Sequence, residues 1–345
     1  MFKKERNNIM RLKTILILLV VSVFWTACSG DKKNDKAKFD IPYQDMEPKI
    51  LTVKEYQKVL FDIDTADFKK GLESLIPEYS SVLGTSINDI QANYVKAFVT
   101  DTFCRHLYEM VDEKFSDIEP ISKDIQTVCQ RFNYYFPGND LPEVITYISG
   151  IDYEMGPVTN NGHAILISLD YYLGNEDNIY DYIGMPRFRS LRCRPEYITK
   201  DLAVLLYMHY IYDTHIYKNI ITEMVEKGKM YYFVEAMNPS LPDSILLGYS
   251  EKQMDWAKNN EGNLWASLVG DNLLYANKLT EYQQFFGDGP FTQAYSNDAP
   301  SRLGDFIGLQ IIRSYMNNND VTLQELMDNK DLLQIFQDSN YKPKK

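Results

Sequence analysis

Residues 197–233 read YITKDLAVLLYMHYIYDTHIYKNIITEMVEKGKMYYF. Two helical patterns lie back to back in this stretch, because apolar residues recur at spacings of three and four. One face of the first helix collects Leu202, Leu205, Leu206, His209 and Asp213. The apolar stripe of the second helix runs through Ile220, Ile221, Met224, Val225, Met230 and Tyr231. The stretch therefore predicts two central helices, and His209 and His215 make it the place to search for a metal site.

Helical spacing also dominates the chain on both sides of this stretch. The segments that carry it are 51–136, 250–275, 298–315 and a short final segment after Thr322. At 141–150 and 164–170 the period changes to the alternation that is typical of strands. The turn signal Asn160-Asn161-Gly162 predicts a hairpin with a partner strand at 153–158, because Asn and Gly tolerate positive φ. We expect an α+β fold, predominantly helical, with a small antiparallel sheet.

Several short motifs predict where helices begin and where they touch. Two glycines four residues apart, Gly304 and Gly308, indicate either a close approach of two helices or backbone access to a ligand. Capping boxes, in which a side chain at each end of the motif bonds to the other's backbone, are predicted at four places. They are Thr52-x-x-Glu55, Ser86-x-x-Asp89, Ser250-x-x-Gln253 and Thr322-x-x-Glu325.

The first 27 residues have the pattern of a bacterial secretory signal. A basic end precedes an apolar run, residues 14–25, that is short for a permanent membrane span. Ala27 followed by Cys28 resembles the lipobox, which implies cleavage before Cys28 and attachment of lipid to its thiol. Ser29 stands where an Asp would retain a lipoprotein at the inner membrane, so we expect the outer membrane. The alternative is an uncleaved membrane anchor with an incidental cysteine.

The domain boundaries follow from this signal. We expect a lipoprotein signal peptide at 1–27, a disordered polar tether at 28–48, and a single mostly helical domain at 49–345. The chain meets the membrane through the lipid on Cys28, on the periplasmic face or at the cell surface.

The charge of the chain excludes one class of partner. The net charge is −12, and removal of residues 1–27 takes away five basic residues and one acid, which leaves the rest more acidic still. Binding to nucleic acid through phosphates requires clustered positive charge, so we expect no nucleic-acid partner. The acidic chain nevertheless contains one dense basic cluster, formed by Arg187, Arg189, Arg192 and Arg194. This cluster serves either to bind a ligand or to neutralise the acidic body.

The familiar catalytic motifs are missing. The sequence has no HExxH, GxSxG, Walker loop or GxGxxG motif. A catalytic zinc needs three protein ligands aimed at one point, whereas the four histidines fall in three separate elements. We therefore expect no metal and no other cofactor, although an acidic chain leaves open a site built from carboxylates alone.

Several longer stretches are similar to the gliding-motility lipoproteins of Bacteroidetes, the GldB-like family. They are HAILISLDYYLG at 163–174, RPEYI at 194–198, VEKGKMYYFVEAMNPSLPDSILLGYS at 225–250, SRLGDFIGLQIIRSY at 301–315 and IFQDSNYKP at 335–343. The resemblance implies a distant relation to predicted zinc peptidases with a zincin-like domain. Those peptidases carry HExxH on one helix and a Glu-Gly pair at the start of the next conserved stretch.

Carried over to this chain, the peptidase pattern is broken. His209 corresponds to the first histidine, Tyr210 to the general base and Asp213 to the second histidine. Lys227 precedes Gly228 where a ligand Glu would stand, and a Lys repels a metal cation. The resemblance thus implies a vestigial cleft without catalytic or metal-binding groups. Its candidate residues are His209, Tyr210, Asp213, Lys227, Gly228 and Tyr231.

Three hypotheses for the function follow. The first is a lipid-anchored, non-catalytic envelope protein that binds other envelope proteins, as the resemblance to gliding-motility and secretion-associated lipoproteins implies. The second is a metal-dependent peptidase or other hydrolase with atypical ligands. The third is a lipoprotein that binds a peptide or a glycan through a tyrosine-rich cleft, since tyrosine gives rigid contact area.

Overall fold

The computed structural model describes residues 38–43, 52–152, 154–174, 178–214, 217–292 and 294–343. The chain divides into two compact units, 1–41 and 42–345. Of the first unit only residues 38–41 are described, so the predicted signal peptide and Cys28 lie outside the described residues. Everything below concerns the second unit.

The second unit is mostly helical. We number its helices α1 to α17 in chain order. They are α1 (Tyr56–Phe61), α2 (Phe68–Ser74), α3 (Ile76–Leu83), α4 (Asp89–Thr100), α5 (Thr102–Lys114), α6 (Glu119–Tyr135), α7 (Ile179–Tyr182), α8 (Arg187–Ser190), α9 (Ile198–Leu206), α10 (Ile220–Met237), α11 (Asp243–Leu247), α12 (Glu251–Asn259), α13 (Glu261–Gly270), α14 (Leu279–Phe286), α15 (Leu303–Asn318), α16 (Leu323–Asp328) and α17 (Leu332–Ser339).

The small sheet has four strands in the order β1-β2-β4-β3. They are β1 (Val53–Glu55), β2 (Glu143–Tyr147), β3 (Val158–Asn160) and β4 (Ala164–Ser168). The predicted hairpin is confirmed, because β3 pairs antiparallel with β4 across residues 161–163. Its first strand is Val158–Asn160 rather than the predicted 153–158, so Asn160 belongs to the strand and not to the turn. The prediction of an antiparallel sheet is wrong, since β1 with β2 and β2 with β4 are parallel pairs. Parallel pairs need long connections between the strands, and α1–α6 form the one between β1 and β2.

The predicted capping boxes have different outcomes. Those at Ser250 and Thr322 are confirmed. The first, at Thr52, is wrong, because residues 53–55 form β1 and α1 begins at Tyr56 without a side-chain cap. Helix α4 is capped by Asn88 and its partner Gln91, rather than by Ser86.

The two predicted central helices are present as α9 and α10. Of the 18 residues of α10, 15 are buried, so this helix forms the middle of the unit. Helix α9 passes into a π-helical turn, Tyr207–Ile211, in which Tyr212 N donates to Tyr207 O at 2.8 Å. The predicted common face is wrong beyond Leu206, because His209 and Asp213 are exposed. The π turn changes the angular spacing, and the helical backbone ends before Asp213.

Glycines bring α10 and α15 into direct backbone contact. A Cβ on Gly308 would lie under 3.0 Å from the carbonyl oxygen of Met224, and a Cβ on Gly228 would lie equally close to the carbonyl oxygen of Gly308. Gly304, one turn earlier on α15, lies instead against a side chain, the ring of Phe286 at the end of α14. The predicted close approach of two helix backbones is therefore confirmed at Gly308, whereas Gly304 makes room for an aromatic ring.

Candidate functional site

The structure places the predicted cleft residues in separate locations. His209 and Tyr210 lie on the π turn, where their rings are in contact with centroids 4.6 Å apart. The ring of Tyr210 also packs against Phe132 of α6, with centroids 5.4 Å apart. His209 is exposed and Tyr210 is half-buried. Both residues therefore belong to the surface where α9 ends and meets α6.

Asp213 lies in the segment that follows the π turn and is also exposed. Its Oδ2 is 3.9 Å from Nζ of Lys330, an exposed ion pair that contributes little to stability. Asp213 lines a cavity of about 580 Å³ together with Thr222 and Glu226 of α10. Glu226 accepts a hydrogen bond from the hydroxyl of Tyr207 at 2.8 Å, so this cavity lies beside the π turn.

Lys227, Gly228 and Tyr231 lie on α10 and make different contacts. Nζ of Lys227 is 3.9 Å from a carboxylate oxygen of Glu223, one turn earlier. Gly228 lies in the backbone contact between α10 and α15. Tyr231 is buried, and its hydroxyl donates to Oδ2 of Asp305 at 2.9 Å.

These residues do not fit a catalytic zinc. Among the residues that the structure describes, no three His, Cys, Asp or Glu side chains are placed to share a metal ion. Lys227 introduces a cation where the peptidase pattern requires a ligand, and Asp213 is exposed beside a lysine. His215 lies outside the described residues. The expectation that the protein binds no metal stays a prediction.

A second cavity, of about 740 Å³, lies elsewhere, and we call it the arginine cavity. Its lining comes from four segments of the chain, 187–197, 244–253, 288–290 and 297–302. Five of its side chains are basic and three are acidic. The basic ones are Arg187, Arg192, Arg194, Lys252 and Arg302, and the acidic ones are Glu251, Asp288 and Asp298. A locally positive concave surface thus exists on a chain whose net charge is −12.

Asp288 organises the inner part of the arginine cavity. Its Oδ2 accepts a hydrogen bond from Nη2 of Arg192 at 2.6 Å, and its Oδ1 is 3.3 Å from Nε of Arg302. Nε of Arg189, which does not line the cavity, is 4.0 Å away. A single carboxylate therefore holds two cavity guanidiniums in place.

Arg302 is also held by hydrogen bonds to residues that do not line the cavity. Its Nη1 donates to the hydroxyl of Tyr231 at 3.0 Å, and its Nη2 donates to Leu247 O at 2.6 Å. Nη1 is also 3.6 Å from Oδ2 of Asp305. The pKa of the Asp305 carboxyl is raised, because burial disfavours its charged form more strongly than the guanidinium of Arg302 favours it. This network joins the floor of the cavity to α10 and α15.

Two backbone positions beside these guanidiniums, Arg302 and Gly248, have positive φ angles. Arg302 itself has a left-handed conformation with φ of 54°, immediately before α15 begins. Gly248 ends α11 with φ of +70°, and a Cβ there would lie 2.9 Å from Cδ of Arg192 and 3.1 Å from Nη2 of Arg302. Glycine at 248 allows both arginines to approach the chain closely.

Comparison with known proteins identifies the family. The sequence profile described as gliding motility protein GldB matches residues 34–343. The chain belongs to the GldB family. The resemblance noted from the sequence is confirmed, and it associates the chain with gliding motility and with a family of membrane-associated envelope lipoproteins. No curated protein and no solved structure matches the chain.

One further structural fact concerns the membrane. Within the described ranges of this GldB-family chain, no helix is both long and apolar enough to cross a bilayer. The predicted lipid attachment at Cys28 lies outside the described residues.

Part of the arginine cavity of this GldB-family chain is visible in the sequence. The density of arginines at 187–194 marks the cluster, although it leaves open whether these arginines bind a ligand or neutralise the acidic body. Arg302 and Asp288 were missed, because they lie about a hundred residues further along the chain and nothing in local spacing joins them to the cluster. The only signal was the turn FFGDGP at 285–290, in which Gly287 and Gly289 flank Asp288.

Proposed function

We propose that the protein is a lipid-anchored, non-catalytic protein of the outer membrane that acts in gliding motility by binding other envelope proteins. The observation that carries this proposal is the family match, which begins at residue 34, shortly after Cys28. A lipid on Cys28 would hold the helical unit at the membrane, and the polar residues after it would give the unit reach.

The contacts of the predicted cleft residues support a non-catalytic role. Gly228 serves the backbone contact between α10 and α15, and Tyr231 holds Arg302 and Asp305. Lys227 stands where the zincin-like pattern would have an acid. We infer a zincin-like scaffold that keeps its two central helices but assigns these positions to packing and to charge.

The arginine cavity supports a role in binding. Its volume of about 740 Å³ lies in the range of ligand sites, which typically enclose about 300–1,000 Å³. Exposed arginines are enriched in the interfaces that proteins use for recognition. This surface, rather than the region of His209, is therefore the one to which we assign partner binding.

The experiment is a deletion in the source bacterium followed by complementation. We expect the wild-type gene to restore colony spreading, and Cys28→Ala to fail because the protein is no longer anchored. The double substitution His209→Ala and Asp213→Asn should restore spreading fully, since both side chains are exposed. Normal spreading of the deletion strain would contradict the role in gliding.

Metal analysis tests the non-catalytic part separately. We expect no stoichiometric zinc in protein purified without chelator. About one zinc per chain, lost in a folded His209→Ala variant, would overturn the degenerate scaffold and favour a hydrolase.

A further inference from the structure

The arginine cavity contains hydrogen-bond donors that the protein itself does not use. Nε of Arg194 is buried and has no acceptor among the described residues, and Nε of Arg302 has no acceptor in hydrogen-bond geometry. Within the same part of the chain, neither Arg187 nor Arg194 forms an ion pair with a carboxylate, whereas Arg192 and Lys252 do. Buried donors are normally satisfied, so these groups indicate a missing acceptor.

The two kinds of arginine have separable tasks. Arg192 and Arg302 are held by Asp288 and by the groups beneath the cavity, so their positions are fixed before any ligand arrives. Arg187 is exposed at the entrance, and Arg194 is half-buried beside the ring of Tyr197 at 5.6 Å. A preorganised floor with free cations above it binds an anion without a large ordering cost.

The lining also offers apolar contact. Leu191 is 47% exposed, and Phe188, Ile245 and Tyr249 line the same cavity. A lone inorganic anion would fill only a small part of about 740 Å³ and would leave this apolar surface in water. The ligand therefore combines negative charge with apolar groups.

We propose that the arginine cavity binds an acidic peptide segment of a partner protein, whose carboxylates pair with Arg187 and Arg194 while its apolar side chains contact Leu191 and Phe188. Asp288 is an internal precedent, because it places one carboxylate against the guanidiniums of this cavity. Arginine pairs with carboxylates through two parallel hydrogen bonds, which gives both affinity and orientation. This inference rests on the proposed binding function and names the chemistry of the partner.

The test uses the full-length protein in a neutral detergent and a fluorescent ten-residue peptide of alternating Glu and Leu. Fluorescence anisotropy at physiological salt measures binding, and a peptide with Gln in place of every Glu is the control. We expect the acidic peptide to bind at least about tenfold more tightly than its neutral counterpart, since hydrogen bonds between arginine and a carboxylate are stronger than those to a neutral amide.

Substitutions within the arginine cluster give the sharpest control. Arg187→Gln with Arg194→Gln should weaken binding of the acidic peptide at least about tenfold. Arg189→Gln removes one charge from the same segment, as Arg187→Gln alone does, but Arg189 does not line the cavity, so we expect a change below about threefold. Arg187→Gln alone is the control for folding, because Arg187 is exposed and its replacement should leave the fold intact. This single variant should still weaken binding of the acidic peptide measurably.

Three results would overturn the proposal. The first is equal binding of the acidic and neutral peptides. The second is an equal loss in Arg189→Gln, which would indicate a general charge effect. The third is arginine-dependent binding to phosphatidylglycerol vesicles without peptide binding, which would assign the cavity to lipid phosphates. In each case successful complementation that depends on Cys28 would leave the proposed envelope function intact, so the two failures are distinguishable.

Discussion

Replacing Gly308 with alanine tests whether the backbone contact between α10 and α15 holds the unit together. The added Cβ would lie under 3.0 Å from the carbonyl oxygen of Met224, a distance that real Cβ atoms do not show. The obstructing atom belongs to the backbone of α10, which is buried almost throughout, so no side-chain rotation relieves the overlap. The two helices must therefore move apart.

The magnitude follows from two opposing terms. Overpacking a close-packed core costs about 1–3 kcal/mol, and a clash between two backbones belongs at the upper end. Alanine is a better helix former than glycine by about 1 kcal/mol, which offsets part of the loss. We expect a net decrease of about 2 kcal/mol in the free energy of unfolding. A melting temperature lower by roughly 3 °C corresponds to this decrease in a unit of about 300 residues.

Circular dichroism during thermal and urea unfolding of the full-length protein measures the effect. The matched control is Gly270→Ala at the end of α13, because no atom lies within 4 Å of a Cβ at that position. The control should be neutral or more stable by up to about 1 kcal/mol. A Gly308→Ala protein as stable as the wild type, or equal shifts in both variants, would refute the reasoning.

Three further predictions concern other parts of the chain. Cys28→Ala should abolish incorporation of labelled palmitate, and undiminished label in the variant would exclude the lipoprotein assignment. Arg313→Met removes the partner of Glu235, which is 5% exposed, and should lower the free energy of unfolding by about 3 kcal/mol or more in urea titrations. A loss below about 1 kcal/mol would contradict this. Burial raises the pKa of the three described cysteine thiols to about 11 or about 12, so thiolate is scarce at pH 8 and Ellman's reagent should react only after unfolding. These cysteines are Cys104, Cys129 and Cys193, all of them buried. Rapid reaction of any one of them with the reagent in the folded protein would contradict the prediction.

The sequence predicts elements whose signals are local. Helix α10 carries an unbroken apolar pattern, and the turn at Asn161 and Gly162 contains the residues that its geometry requires. Strand β1 escapes prediction because it has three residues and acquires its partner, Val144–Thr146, about ninety residues later. The π turn at Tyr207–Ile211 is not predicted, because the spacing of apolar residues does not reveal a shifted backbone hydrogen bond.

The same distinction applies to the arginine cavity. A density of arginines is visible in the sequence, but whether they bind a ligand or only neutralise charge depends on which groups face them. Asp288 and Arg302 lie at opposite ends of the segment that joins α14 to α15, and Tyr231 reaches the cluster from α10. Such contacts between distant segments arise only when the chain is folded.

The helix contact at Gly228 and Gly308 is connected to the arginine cavity through Tyr231 and Asp305. Asp305 lies one turn before Gly308 on α15, and Tyr231 lies one turn after Gly228 on α10. The close approach that the two glycines allow is what brings the hydroxyl of Tyr231 within 2.9 Å of Asp305, and the same hydroxyl accepts a hydrogen bond from Arg302. A wider helix spacing would separate these groups and remove one of the hydrogen bonds that hold the guanidinium of Arg302 at the floor of the cavity. The central helix pair therefore positions a binding surface at its edge, because Tyr231 and Gly228 of α10, together with Gly308 of α15, position the arginine that precedes α15.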